Sequence, residues 1–452
     1  MELDQIRSTR SVLMFTLPSV FMMVSISAYV MADGVIISNL ISSDALAACN
    51  LTMPVISLFS ALGCMLATGG SALVSKKMGE GKQEEANSNF STILIVGVAL
   101  SLVITICCCL FTKEIVTALG ADEALSDTTC AYLLPYSLFA PALVAQVIVS
   151  QFFIVAGRAG MALVVSVAAG LSNIALDLLF MGGMGMGVEG AAIASGSSSL
   201  IPCAVALYLF SARNRYTLVF GRPSWAPAVI AKTCSNGASE MVAQLSGVVS
   251  TLAFNLIMMS YVGVDGVAAI TIIMYVEFLA LAVVLGFSSG IAPVMSYQYG
   301  KGDRDAMAEI YRVSIRFCLV FSIVMFLFME AFGGLVVSVF DGGNENLYEI
   351  AIGGVRIHSF AYLFMGINLY ASSLFTSLSN GRLSALISAL RALIILVPLI
   401  VLLPTVFGVN GVWLAVPITE LVVLALSLYL LISNSERYGY GRFVRGPRPG
   451  AA

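Results

Sequence analysis

Asp33, Asn173 and Asp177 are the residues of this 452-residue chain whose types and spacing suit ion chemistry. Each lies within a long apolar stretch. A carboxylate in hydrocarbon costs at least ~2.5–3.5 kcal/mol on insertion scales, so an acid kept there marks a functional position by default. Asn173 and Asp177 stand four residues apart and therefore share one helix face. Two carboxylates and an amide make an oxygen-only donor set, suited to a hard cation such as Na⁺. Without the cation, like charges held close together favour sharing one proton. One site can thus serve either ion. The bland alternative is that Asp33 ends its helix near water and Asp177 caps a turn.

Pro18, about four turns before Asp33, lies inside the same stretch. It cannot donate a backbone hydrogen bond, so it bends or loosens the helix there. A static kink of the kind membrane helices tolerate is the alternative. The second half of the chain carries its own ionisable set: Glu240, Glu277, Arg356, His358, Arg391 and Glu420. Structural pairing is expected for some of them, Arg356 with Glu330 and Arg391 with Glu420. Glu277 has no basic partner along its own helix and is the acid expected to face a cavity. His358, the one histidine, is expected to be a hydrogen-bonded interior residue, with pH sensing open to it because imidazole titrates near neutrality. Met274, Tyr275, Phe278 and Asn368 could contact varied apolar ligands, although any membrane helix uses such residues.

These groups need membrane helices to position them. Of the residues 59% are hydrophobic and 10% charged, against about 25% charged in a soluble domain. The chain therefore reads as an integral, all-α membrane protein. A net charge of -3 gives no footing for nucleic-acid binding. No apolar stretch with a small-residue cleavage site precedes the first span, so no cleaved signal peptide is expected. The nine cysteines sit mostly in apolar runs such as Cys107-Cys108-Cys109, without CxxC spacing, and read as small hydrophobes. No Walker A, HExxH or GxSxG pattern occurs, which argues against ATP hydrolysis or hydrolytic catalysis.

A spanning helix needs about 20 mostly apolar residues. Twelve stretches qualify: 12–37, 50–74, 91–111, 130–153, 160–181, 189–210, 236–259, 267–295, 315–338, 352–376, 384–406 and 412–432. With the N-terminus inside, the inner segments hold Arg7, Arg10, Lys76, Lys77, Lys82, Arg158, Arg213, Arg215, Arg222, Lys232, Lys301, Arg304, Arg312, Arg382, Arg437, Arg442, Arg445 and Arg448. The outer loops hold Lys113. Basic loops mark the cytoplasmic side, so both termini are expected there, in the inner membrane of a prokaryote.

The chain also repeats itself. Residues 44–81 and 265–302 align without a gap at an offset of 221, which carries Asp44 to Asp265, Gly69 to Gly290, Gly79 to Gly300 and Gly81 to Gly302. The same offset carries Gly187 to Gly408 and Gly190 to Gly411, so the repeat is half the chain. Six helices per half return the chain to its starting side and make the halves parallel repeats about an axis along the membrane normal. The expected layout is an N-terminal lobe at 1–210, a linker at 211–235, a C-terminal lobe at 236–435 and a basic tail at 436–452. The offset places Phe254 opposite Asp33, so the acid site has no twin.

Read in order, the motifs LPSVFMMVSISAYVMADGVIIS, DALAA, GEGK, NIALD, GVEGAAIAS, GFSSGIAPVMSYQYGKGD and LVPLIVLLPTVFGVNGVWLAVP resemble the multidrug and toxic compound extrusion (MATE) family. The resemblance covers nearly the whole chain and looks closest to prokaryotic exporters. It implies a cation site in the N-terminal lobe on Asp33, Asn173 and Asp177. It also implies a helix-one proline that bends on protonation, matching Pro18, a helix-four tyrosine matching Tyr132 or Tyr136, and a helix-six hydroxyl at Ser195, where the family often has Thr. Some members place an added acid in helix seven or ten. Glu240 is not clearly at that helix-seven position, and Arg356 and His358 depart from an acidic helix ten.

The sequence therefore reads as a secondary antiporter, probed best as an exporter of amphipathic or cationic organic compounds in exchange for Na⁺ or H⁺. No cofactor is expected besides that ion, and a monomer is the default. A flippase for lipid-linked oligosaccharide and a non-transporting scaffold or sensor are the rival readings.

Overall fold

The computed structural model describes residues 2–41, 43–212, 217–340 and 343–441. Arg213 and Arg215 of the linker, and Arg442, Arg445 and Arg448 of the tail, lie outside the described residues. Twelve of the described helices are long and apolar enough to cross a membrane. In chain order they are α1 (Thr9–Leu40), α2 (Met53–Gly79), α3 (Gln83–Leu110), α4 (Glu123–Val155), α5 (Ala159–Gly183) and α6 (Gly187–Ser211). The second lobe holds α7 (Pro227–Tyr261), α8 (Val264–Lys301), α9 (Arg304–Ser338), α10 (Glu345–Ser377), α11 (Gly381–Phe407) and α12 (Val409–Ser433).

The helix ends follow the sequence. Ser8 caps α1 through a reciprocal pair with Ser11, and Asp122, Asp303 and Asn344 accept from the third residue after them at the starts of α4, α9 and α10. Gly81 and Gly302, repeat mates just past α2 and α8, both take a left-handed φ, +75° and +78°. Several helices start before the stretches read from the sequence, most of all α3 at Gln83 rather than 91, α7 at Pro227 rather than 236 and α9 at Arg304 rather than 315. The linker ends at Ala226, not near residue 235, because Pro227 at the first helical position starts α7 early. The added turns carry Lys232, Thr233 and Asn236, too polar to read as membrane span, yet Thr233 and Asn236 are buried.

The lobes meet through glycine. A methyl group on Gly237 of α7 would lie 1.9 Å from the Met65 carbonyl oxygen of α2, and one on Gly69 would lie 2.1 Å from that of Thr233. Likewise a methyl group on Gly79 of α2 would lie 2.0 Å from the Tyr297 carbonyl oxygen, and one on Gly300 of α8 would lie 2.2 Å from that of Lys76. Gly286 and Gly290 of α8 lie against Ser19, Val20 and Thr16 of α1. Small residues let helix backbones approach this closely, and dispersion across such seams holds membrane helices together. Under the repeat offset α1 against α8 becomes α7 against α2. These seams gather in the half of the bundle that carries the N-terminus, while Asp33 and Asp177 stand towards the other end.

Candidate functional site

α1 and α5 pack side by side, with Tyr29 of α1 against Gly170 of α5, where a methyl group would come within 2.7 Å of the ring. One turn beyond Tyr29, Asp33 faces Asp177 closely enough for the two carboxyls to share a hydrogen bond once one carries a proton. Asp177 is fully buried. With both groups ionised neither can donate, and Asp33 Oδ1 and both Asp177 oxygens are then buried without a donor. Buried polar atoms are nearly always satisfied, so such a set calls for an ion or a proton. The carboxylate oxygens are hard donors of the kind a small cation or a proton takes.

Neighbouring residues complete the site. Asn173, one turn before Asp177, donates Nδ2 to Ser195 Oγ of α6 at 3.2 Å, which fixes the orientation of the amide. Tyr132 and Tyr136 of α4 stack with ring centroids 5.9 Å apart, and Tyr132 lies within electrostatic reach of both aspartates. A short helix, Ser43–Leu51, brings Cys49 to the same place. Cys49 packs with Ile37, Tyr132, Met181, Val188 and Ala191 into an apolar cover that limits water at the carboxylates. At Asp177 the α-helical bonding of α5 gives way to a π turn, Leu178–Gly183. Such turns recur at functional positions because they re-aim side chains and free backbone groups.

Thus the structure brings Asp33, Asn173, Asp177, Tyr132 and Ser195 to one place. Tyr29 and Cys49 join them without having been singled out. Only the i, i+4 relation of Tyr29 to Asp33 could have flagged it. Pro18 lies elsewhere, within a continuous α1 and between Thr16 and Ser19, the residues that meet Gly290 of α8. It therefore sits in an inter-lobe seam rather than at the carboxylates.

The second lobe resolves into two polar groups. Glu277, expected to face a cavity alone, accepts from or donates to His358 Nε2 of α10 at 3.2 Å, and its side chain is 19% exposed. Its partner stands on another helix, which a search along α8 alone could not find. Arg391 of α11 pairs with the buried Glu420 of α12, and Asn368 of α10 donates to Glu420 Oε2 and to its carbonyl, both at 2.8 Å. Asn368, expected among the cavity contacts, is instead fully buried in this network. Arg391 lies in a second π turn, Leu390–Ile394, on the repeat mate of α5. Glu240 stands on α7 within reach of Arg391 and of Cys64 on α2. The expected Arg356–Glu330 pair does not form: Arg356 is exposed, and Ser359 donates to Glu330 Oε1 at 2.6 Å. Tyr275 and Phe278 share an exposed face of α8, with Met274 and Glu277 half-buried beside them.

Comparison with known proteins gives a consistent result. Residues 18–179 match the MatE family model and residues 241–402 match it again, once in each lobe. A protein of Shewanella oneidensis named FAD transporter is 25% identical over 434 residues, covering 93% of this chain and 94% of its own length. Multidrug export protein MepA of Staphylococcus haemolyticus is 23% identical over 398 residues, covering 88% and 87%. A solved structure described as the outward-facing conformation of a multidrug resistance MATE family transporter of the MOP superfamily superposes with a TM-score of 0.90. It is 20% identical, with 96% of this chain and 98% of that chain covered, and the likeness is one of fold.

Proposed function

The chain belongs to the MatE family, whose members are transporters rather than enzymes, and we propose that it is a cation-coupled antiporter exporting amphipathic or cationic organic compounds. The observation that carries this reading is the Asp33–Asp177 pair within the span, with Asp177 fully buried, Asp33 half-buried and three buried carboxylate oxygens lacking a donor. Na⁺ or H⁺ entering from the face opposite the N-terminus would bind there. The ion is the second substrate of the exchange, and Asn173 and Ser195 would hold the carboxylates in register for it.

A ligand shifts a conformational equilibrium only as far as it binds the two states differently. The cation removes one of the pair's two negative charges, and the weaker repulsion permits a tighter approach of α1 to α5. Because α1 also forms the seam with α8 around Pro18, that approach would be felt where the lobes meet. The basic bias of the loops supports a cytoplasmic position for the closed seam, in keeping with export.

The test is efflux of a fluorescent organic cation such as ethidium from drug-pump-deficient cells. Wild type should extrude the dye, while Asp33→Asn, folded and present in equal amount, should not. Wild-type rates in Asp33→Asn would remove that residue from coupling, and no dye movement by wild type would defeat the multidrug reading. The relative named FAD transporter supplies a specific second reading, so release of FAD by the same cells is measured alongside.

A further inference from the structure

Two segments cross the N-terminal face, one leading into α1 and the other into α7. The first, around Leu3–Gln5, is bound to the end of α8. Gln298 donates to the Leu3 carbonyl at 3.2 Å, Asp4 pairs with Lys301, and Arg7 pairs with Asp303 at 3.2 Å. Arg7 also meets Asp4 at 3.2 Å, so the carboxylate there lies between two cations. The second, residues 217–226, runs along α3, the repeat mate of α9. The amides of Val219, Gly221 and Ser224 donate to Asn87 Oδ1, Ser91 Oγ and Thr92 Oγ1 at 3.2, 3.0 and 3.0 Å, and Phe220 stacks on Phe90 at 5.2 Å.

The two crossings differ in charge. Beneath the second lies a cavity of about 830 Å³ between α2, α3, the linker and α7. Arg222 and Lys232 line it, and neither pairs with a carboxylate among the described residues. Lys77, also in the wall, is held by Glu80 and Glu85 at 3.3 and 2.7 Å, which leaves Glu84 as the one acid of the lining without an ion-pair partner among the described residues. Leu73, Phe220 and Val229 make an apolar side. Trp225, next to the lining residue Ser224, is 66% exposed. Exposed Trp at a helix end belongs at the headgroup level of a bilayer.

We infer that this cavity binds an anionic phospholipid. Its phosphodiester takes the place between Arg222 and Lys232 that a carboxylate takes in the first crossing, and its glycerol and upper acyl carbons lie along the apolar side. Mixed polar and apolar walls suit a lipid better than a free anion, and basic pockets between spanning helices are the form such recognition takes. Arg222 and Lys232 flank the cavity from the linker and α7, while Lys77 belongs to α2, so an occupant bridges the two lobes at their closed end.

Trp225 supplies the assay, because the other tryptophan, Trp413, is buried in the C-terminal lobe. The full chain is reconstituted in phosphatidylcholine vesicles containing dibrominated phosphatidylglycerol or dibrominated phosphatidylcholine at equal mole fraction, and tryptophan quenching is read. The phosphatidylglycerol form should quench more strongly. Its preference should fall about fivefold in Arg222→Gln or in Lys232→Gln, as one cation near an anionic surface implies, and rise in Glu84→Gln. Equal quenching by both lipids, or a preference untouched in the double Arg222→Gln/Lys232→Gln variant, overturns the assignment. Loss of the preference on adding inorganic phosphate assigns the cations to a free anion and overturns the lipid.

Discussion

Gly237→Ala is the sharpest perturbation of the inter-lobe seam. The added methyl would sit 1.9 Å from the Met65 carbonyl oxygen, and ordinary contact begins at 3.4 Å, so α7 and α2 must part by about 1.5 Å. The obstacle is backbone, not a side chain that can swing away, and Gly69 meets the Thr233 carbonyl just as closely from the other side. Overpacking of this sort costs ~1–3 kcal/mol in the closed arrangement, and an arrangement with the seam parted escapes it. The ratio of closed to parted forms should therefore fall by roughly 5- to 150-fold. Cys64, on α2 beside Met65 and in contact with Gln244 of α7 at 3.5 Å, reports the seam. With the other eight cysteines replaced, its maleimide labelling should accelerate by that factor in Gly237→Ala, and dye efflux should fall. Unchanged labelling and efflux in a folded Gly237→Ala protein would refute the claim that this seam closes the transporter.

Further predictions concern polar contacts. Arg391→Met leaves Glu420 buried without its cation and should destabilise the lobe by ~3–5 kcal/mol, whereas adding Glu420→Gln should recover much of that loss in thermal unfolding. At the N-terminal crossing, the bond from Lys301, with Arg7 beside it, holds Asp4 below its ordinary value of 3.8. A carboxyl so depressed lends stability above 3.8 that is lost as pH falls through its folded value. Amide exchange of residues 3–7 should therefore be slow from neutrality down to about pH 4 and faster below it, and Asp4→Asn should exchange fast throughout.

Much of this molecule is legible in its sequence because the membrane restricts the choices. Hydrocarbon forces every spanning segment into helix, so the apolar runs gave all twelve spans and the repeat gave their pseudo-twofold arrangement. Asp33 and the Asn173–Asp177 pair were legible because charge is rare inside such runs. Contacts that depend on which helix faces which were not. Glu277 and His358 are 81 residues apart and Asn368 and Glu420 are 52 apart, and no helical spacing joins them. The start of α7 was missed because its first turns face α2 rather than lipid and so carry polar residues. The repeat singled out Gly69 and Gly79, yet their role depends on the carbonyls of Thr233 and Tyr297, which pattern alone does not disclose. The π turns at Leu178–Gly183 and Leu390–Ile394 change hydrogen-bond register without changing hydrophobicity.

The Asp33–Asp177 pair is tested most directly by transport in proteoliposomes with Na⁺ and pH gradients imposed one at a time, for wild type and Asp177→Asn. The account predicts that one gradient drives uphill movement of the organic cation by wild type, and that Asp177→Asn, folded and still binding the compound, concentrates none. Uphill transport by Asp177→Asn at the wild-type rate under the same gradient would contradict it.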